Sequence, residues 1–286
     1  MAYKIVVDSC CEMTDTLKSI KNIVSVPLTL QIDNYKILDD ENFEQNDFVE
    51  RMLAYEGTAK SACPSPAAFA DAYEGDEEDV YVVTITKKLS GTYNSAVQAV
   101  ELFKEENNSD KNIHVFDSKG TSGFEVLIVE KIDELASQGM KFEDVVKEVN
   151  DYIENHIDLY FCLDNLENLR KNGRLSNLAA AVLKKLKVKL ICKATDGDID
   201  KVSQDFTISR AILKMCNIMN NDISKGTIPK KLIITHCRCL ERAELVASKL
   251  SEKNNFEKIE ILEMSGLNTL YANDGGIIVS YCHWFL

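Results

Sequence analysis

Through the first half of the chain, short runs of β-branched and aromatic residues alternate with segments at helical spacing. Tyr3-Lys4-Ile5-Val6-Val7 ends at Asp8-Ser9, and Ile23-Val24-Ser25-Val26-Pro27-Leu28 follows a polar turn. Residues 80–85 (Val-Tyr-Val-Val-Thr-Ile) and 113–116 (Ile-His-Val-Phe) repeat the pattern. Runs of this kind predict strands. Between them the spacing predicts helices. Thr14 and Asp15 offer a cap ahead of Leu17, Phe48 opens a helical pattern, and Ser65 caps a helix whose first turn holds Pro66. Tyr93, Ala96, Val97, Val100 and Phe103 recur at helical spacing, and residues 124–135 and 142–153 give two more helices. Strands separated by helices predict an α/β fold with a mainly parallel sheet flanked by helices on both faces.

The second half has another texture. A strand at 158–163 precedes a short helix at 165–169 that stops at Asn172-Gly173, after which Ser176 can cap the next helix. Leu190-Ile191-Cys192-Lys193-Ala194 and Ile199-Asp200-Lys201-Val202 flank Asp196-Gly197, the signature of a β-hairpin. Helices at 209–219 and 241–250 and strands at 231–235 and 259–264 complete an α+β second domain. The division is expected near residue 155, giving domains 1–155 and 156–286. No linker rich in Pro, Gly or Ser separates them, so the halves should pack together.

Composition narrows the function. Of 286 residues, 33 are Lys or Arg and 46 are Asp or Glu, a net charge of −13, which argues against a general nucleic-acid binder. Hydrophobic content of 45% excludes global disorder. No apolar run approaches the ~18 residues of a membrane span, and the first residues hold no secretory apolar stretch; a cytoplasmic protein is expected. Nine scattered cysteines fit reduced, mostly buried thiols. His236-Cys237-Arg238-Cys239 lacks the second ligand pair of a zinc site, so no metal centre is expected.

In parallel sheets, ligands meet the carboxyl ends of strands. Three such ends carry small hydroxyl or acid residues: Asp8-Ser9, Ser90-Gly91-Thr92 and Asp117-Ser118. The second lies where a strand gives way to an amphipathic helix, whose unpaired amides suit a carboxylate or phosphate. Capping of that helix by Ser90 or Thr92 is the commoner use of such residues. The turn Ser61-Ala62-Cys63-Pro64-Ser65-Pro66 and Arg174, just past the Asn172-Gly173 stop, are two further features. Taken alone, a rigid turn and a solvated arginine would account for them. Phosphate-binding, dinucleotide, nucleophile-elbow and His-Glu-x-x-His signatures are missing from the sequence.

In this order, five segments resemble the DegV family of bacterial fatty-acid-binding proteins. They are Val7-Asp8-Ser9, residues 61–66, Leu89-Ser90-Gly91-Thr92-Tyr93-Asn94-Ser95-Ala96, Val115-Phe116-Asp117-Ser118, and residues 166–176 around Asn172-Gly173-Arg174-Leu175-Ser176. The likeness spans nearly the whole chain. It implies two α/β domains holding a long-chain fatty acid between them, the first carrying the carboxylate-binding loops and the second helping to enclose the acyl chain. It also implies that Ser61, Ser90 and Gly91 hold the carboxylate, with Arg174 on the surface facing a partner. Thr92, Asp8 and Asp117 are weaker candidates. Some members present the acid to a separate fatty acid kinase that phosphorylates the carboxyl group for phospholipid synthesis. Such a protein is a carrier, not an enzyme: it needs no cofactor of its own, and ATP belongs to the partner.

The chain departs from the family pattern at four points. Ser61 stands where many members have threonine, Asn172 replaces a glycine, and Lys87-Lys88 replaces a small stretch at the entrance. In Tyr271-Ala272-Asn273-Asp274-Gly275-Gly276, Ala272 occupies the position where some members carry a histidine. That last change is expected to affect lipid binding little and to bear mainly on presentation to the kinase. The rival reading is an enzyme acting on a small phosphorylated or carboxylated metabolite at the same helix start.

Overall fold

The computed structural model describes residues 2–175, 188–223 and 227–285; Ser176, expected to cap a helix, lies outside them. Strands β1 (Tyr3–Asp8) and β2 (Ile23–Val26) are followed by three short strands, β3 (Thr29–Ile32), β4 (Tyr35–Leu38) and β5 (Lys60–Ala62). These three form a small antiparallel sheet of their own, in the order β4-β3-β5. Strands β6 (Asp79–Thr84) and β7 (Asn112–Asp117) return to the first sheet, whose order is β2-β1-β6-β7 with every pair parallel. The expected fold class is therefore the observed one.

Alternation along the strands explains the layering. Val6, Val80 and Val82 face a core with Phe69, Ala96 and Phe103, from helices α3 (Pro66–Ala72) and α4 (Thr92–Asn107). Ile5, Val7, Tyr81 and Val83 point the other way, into a core with Phe124, Leu127, Ile128 and Val149. Those belong to α5 (Gly123–Ser137) and α6 (Phe142–Asn155). Helices α1 (Asp15–Lys18) and α2 (Gln45–Ala54) fill the intervening connections. Thr14 and Ser65 cap α1 and α3, each accepting from an amide three residues on.

The second sheet is built from β8 (Ile157–Cys162), β9 (Lys189–Thr195), β10 (Asp198–Asp205), β11 (Thr227–His236), β12 (Lys258–Glu263) and β13 (Ile277–Phe285). Its order is β10-β9-β8-β13-β11-β12, antiparallel except for β11 with β12. The turn at Asp196 and Gly197, both at positive φ, joins β9 to β10 as the hairpin signature predicts. Helix α7 (Glu167–Lys171) ends at Gly173, φ +75, with the Arg174 amide bonded back to the Leu169 carbonyl. Helices α8 (Ile208–Ile223) and α9 (Leu240–Ser251) cover one face, packing on Tyr160, Cys162, Val279 and Tyr281. Leu159, Phe161 and Ile278 face the opposite way, toward α5.

Helix α5 thus packs on both sheets, and one continuous core joins the two halves. At Gly123 the approach is so close that a Cβ would lie 2.7 Å from Ile233 Cγ2, so only glycine fits without displacement. The last helix, α10 (Gly266–Ala272), sits beside α2 and α7.

Candidate functional site

A crevice with about 800 Å³ of atom-free space, including its mouth, opens between the two halves. One wall comes from the connections after β6 and β7: Ile85 to Ser90, and Lys119 to Thr121. The other is the inward face of the second sheet, with Leu159, Phe161, Ile199 and Ile278, all buried. Leu267 and Ala272 of α10 and Leu169 of α7 close the interior. The buried part of the lining is mostly hydrocarbon, with Thr86 and Asn268 among it, and the other polar side chains are half-buried and form its rim.

Three of the residues singled out in the sequence meet at that rim: Ser61, Ser90 and Arg174 all line it. Ser61 is the middle residue of β5, where pairing with Leu30 fixes it. Its Oγ lies 3.0 Å from the hydroxyl of Tyr271 on α10. Ser90 follows β6, and its amide bonds to the Thr86 carbonyl at 3.2 Å. The Ser90 hydroxyl accepts from the Thr92 amide at 3.3 Å and lies 2.8 Å from the buried Thr92 hydroxyl. Ser90 therefore does part of the capping work while still reaching the crevice.

Gly91 is the N-cap residue of α4 and has no side chain of its own with which to cap it. It stands behind Ser90, its missing Cβ directed at Cys63 Sγ 3.4 Å away, and does not itself line the crevice. The Arg174 guanidinium donates from Nε to the Leu89 carbonyl at 3.1 Å and also to Asn172, and it lies 5.9 Å from the centre of the Tyr271 ring. It spans the junction between the α7 turn and the β6–α4 connection. Asn172 reaches across as well, donating to the Ala59 carbonyl at 3.0 Å.

The two weaker acidic candidates hold loops. Asp8 is fully buried and accepts from the amides of Cys10 and Ile85 at 2.9 and 2.8 Å. Burial pushes its carboxyl up to about 6 against the pull of those two donors. Asp117 accepts from the amides of Lys87 and Lys119 and pairs with Lys87 at 3.3 Å. Lys88 pairs with Asp198 at 3.5 Å, Lys119 with Asp196 at 2.7 Å, and Thr86 Oγ1 donates to the Gly197 carbonyl at 3.0 Å. Lys88, Lys119 and Thr86 thus help fasten the β9–β10 turn at the entrance, whereas Lys87 pairs with Asp117.

Sequence reasoning missed Tyr271 and the scaffold that places it. The Asp39 carboxylate accepts from the amides of Gly266 and Leu267 at 2.6 and 2.8 Å and from Ser9 Oγ at 2.9 Å. It caps α10 from 227 positions away, so no local motif announces it. Glu12 accepts from Ser122, Asn268 and the Ser265 amide, and burial pushes its carboxyl up to about 8. Asn268 in turn accepts from Thr121 at 2.8 Å, and both line the crevice.

The four histidines and the cysteine pair fall elsewhere. No histidine lines the crevice among the described residues. Cys237 is fully buried, and Cys239 Sγ lies 3.5 Å from the Gly276 carbonyl, roles that packing accounts for. All nine cysteines are free thiols. No helix among the described residues is long and apolar enough to cross a membrane.

Two sheets joined through α5 and enclosing a largely hydrocarbon crevice with hydroxyls at its rim define a multilayered α/β fold with a site between its halves. Within it, the chain belongs to the DegV family, whose description as an uncharacterised protein family matches residues 2–283. A DegV domain-containing protein of Streptococcus pneumoniae (strain ATCC BAA-255 / R6) is 34% identical, covering 98% of this chain and 99% of that protein. Among solved structures, a DegV family protein from Ruminococcus gnavus, refined with vaccenic acid, superposes with a TM-score of 0.91. It is 39% identical over 97% of this chain and 99% of that one. The Fatty Acid Kinase (Fak) B3 protein of Streptococcus pneumoniae, loaded with linoleic acid, gives a TM-score of 0.88. Its identity is 32%, over 99% of both chains.

Proposed function

We propose that this protein is a cytoplasmic carrier that binds one long-chain fatty acid in the crevice and offers its carboxylate to a partner fatty acid kinase. The observation that carries this reading is the division of the crevice into a hydrocarbon depth and a hydroxyl rim. Burying about fourteen methylenes at ~0.8 kcal/mol each yields ~11 kcal/mol, enough to exceed much of the cost of association. A phosphorylated metabolite would gain little from Leu159, Phe161 and Ile278.

In this reading the carboxylate sits at the rim, held by the hydroxyls of Ser61 and Ser90 near the positive end of α4, whose N-cap Gly91 stands outside the crevice lining. Such groups fix orientation more than affinity. Arg174 stands beside them at the domain junction, where its charge can help a partner stabilise the phosphoryl group in transit. Residues 1–155 supply the loops of the head-group site, and 156–286 supply most of the tail enclosure. The fatty acid bound by the Ruminococcus and Streptococcus relatives supports the ligand class.

The test is ligand uptake. Delipidated protein offered oleate or palmitate should gain a single adduct by native mass spectrometry. Failure to take up either acid, together with binding of a short phosphorylated or carboxylated compound, would overturn the proposal.

A further inference from the structure

Behind the crevice wall lies a group of side chains that the lipid does not need. Asp8, Cys10 and Glu125 are all buried, and a potential ligand atom from each lies within 4.8 Å of the others. Asp8 closes β1, Cys10 follows it in the same turn, and Glu125 is in the first turn of α5. The Cys10 carbonyl accepts from Asn268 and the Asp8 carboxylate from the Ile85 amide. Asn268 and Ile85 both line the crevice.

Glu125 makes this group unusual. Its side chain is completely enclosed, and neither carboxylate oxygen has a hydrogen-bond partner. Among the described residues no lysine or arginine pairs with Asp8, Glu12 or Glu125. The protein alone satisfies Glu125 in neither protonation state. Ionised, it would be an uncompensated charge in low dielectric beside Asp8 and Glu12. Protonated, it would carry a hydroxyl donor with no acceptor in reach. A divalent cation resolves both problems, because it pairs with the bare oxygens and offsets the carboxylates and a thiolate together.

We propose that Asp8, Cys10 and Glu125 form a buried structural site for a divalent cation of the zinc class. A thiolate with two carboxylates suits a borderline cation better than magnesium or calcium, which favour all-oxygen shells. Binding forms bonds to Asp8 Oδ, Cys10 Sγ and Glu125 Oε and releases to solvent the thiol proton and any proton held by Glu125. Its role is to clamp β1 to the start of α5 and so steady the wall carrying Ile85 and Asn268. Because all three donors are enclosed, the cation enters as the chain folds.

The experiment uses full-length protein expressed with added zinc sulfate and purified without chelators, with elemental analysis by mass spectrometry. Wild type should carry one zinc per chain, and Glu125→Gln and Cys10→Ser should carry less by at least about tenfold while still taking up oleate. Wild type without zinc, or variants that keep it, would overturn the site without touching the lipid proposal. Should either variant fail to fold, wild type refolded with cobalt(II) decides. A near-ultraviolet thiolate-to-cobalt charge-transfer band supports the site, and its absence overturns it.

Discussion

The hydroxyls of Ser61 and Tyr271 lie 3.0 Å apart at the mouth of the crevice, although 210 positions separate them in sequence. One comes from a three-residue strand of the small sheet, the other from the last helix, so the rim forms only once the two halves are assembled. Tyr271→Phe removes one member of this pair and leaves the ring beneath Arg174. Loss of one net hydrogen bond, about 0.5–1.5 kcal/mol, should weaken oleate binding by roughly two- to tenfold, read by titration calorimetry. Unchanged affinity would place the head group away from this pair.

Ser90 is half-buried and points into the crevice at the start of α4. Ser90→Phe should abolish oleate uptake while leaving circular dichroism and thermal midpoint close to wild type, because the ring fills the mouth rather than the core. Undiminished uptake would mean that the carboxylate binds elsewhere.

Arg174 separates holding from handing over. Arg174→Ala loses its bonds to the Leu89 and Asn172 carbonyls but none to the lipid, so oleate affinity should drop by no more than about tenfold, the upper worth of one net hydrogen bond. Acyl-phosphate formation with a bacterial fatty acid kinase and ATP should become undetectable. If turnover persists at the wild-type rate, Arg174 has no part in presentation.

Gly197 sits at φ +82, and a Cβ there would lie 2.4 Å from Thr86 Oγ1. Gly197→Ala combines left-handed strain with loss of the Thr86 contact that fastens the hairpin. The expected cost is about 1–3 kcal/mol, seen as a lowered thermal midpoint and faster release of oleate. An unaltered midpoint would show that the turn is not held against the entrance.

Asp39 gives the stability a definite pH dependence. Burial raises its carboxyl to about 6, opposed by the Leu267 and Gly266 amides and the Ser9 hydroxyl. The folded protein thus keeps a proton that the unfolded chain releases near pH 4. The stabilisation is fully present below that pH and lost as pH rises through about 6. Between pH 4 and pH 6.5 wild type should lose about 2–3 kcal/mol relative to Asp39→Asn, measured by urea denaturation. A constant or growing advantage for wild type would refute the assignment.

Legibility in the sequence followed the range of the forces involved. Strands β1, β6 and β7 and helices α3 to α6 announced themselves through periodicity and caps such as Ser65. The Asp196-Gly197 hairpin and the Gly173 stop were equally visible, because each depends on backbone conformation at one or two residues. Strands β3 to β5 were missed: three or four residues each are too few for alternation to stand out. Strand β13 was missed too, yet it lies at the centre of the second sheet, where pairing with β8 and β11 defines it. At the site, Ser61, Ser90 and Arg174 were found by resemblance, whereas Tyr271 and Asp39 depend on contacts more than 200 positions apart and leave no local trace. The acid Glu125 was hidden within an apolar helical pattern that looked like ordinary core.

The most direct test is a crystal structure of the protein purified from cells and soaked with oleate. Continuous tubular density should run from the hydroxyls of Ser61 and Ser90 inward past Phe161 and Ile278. A well-ordered crevice in which side chains have closed over that path, with no density for an acyl chain, would contradict the account.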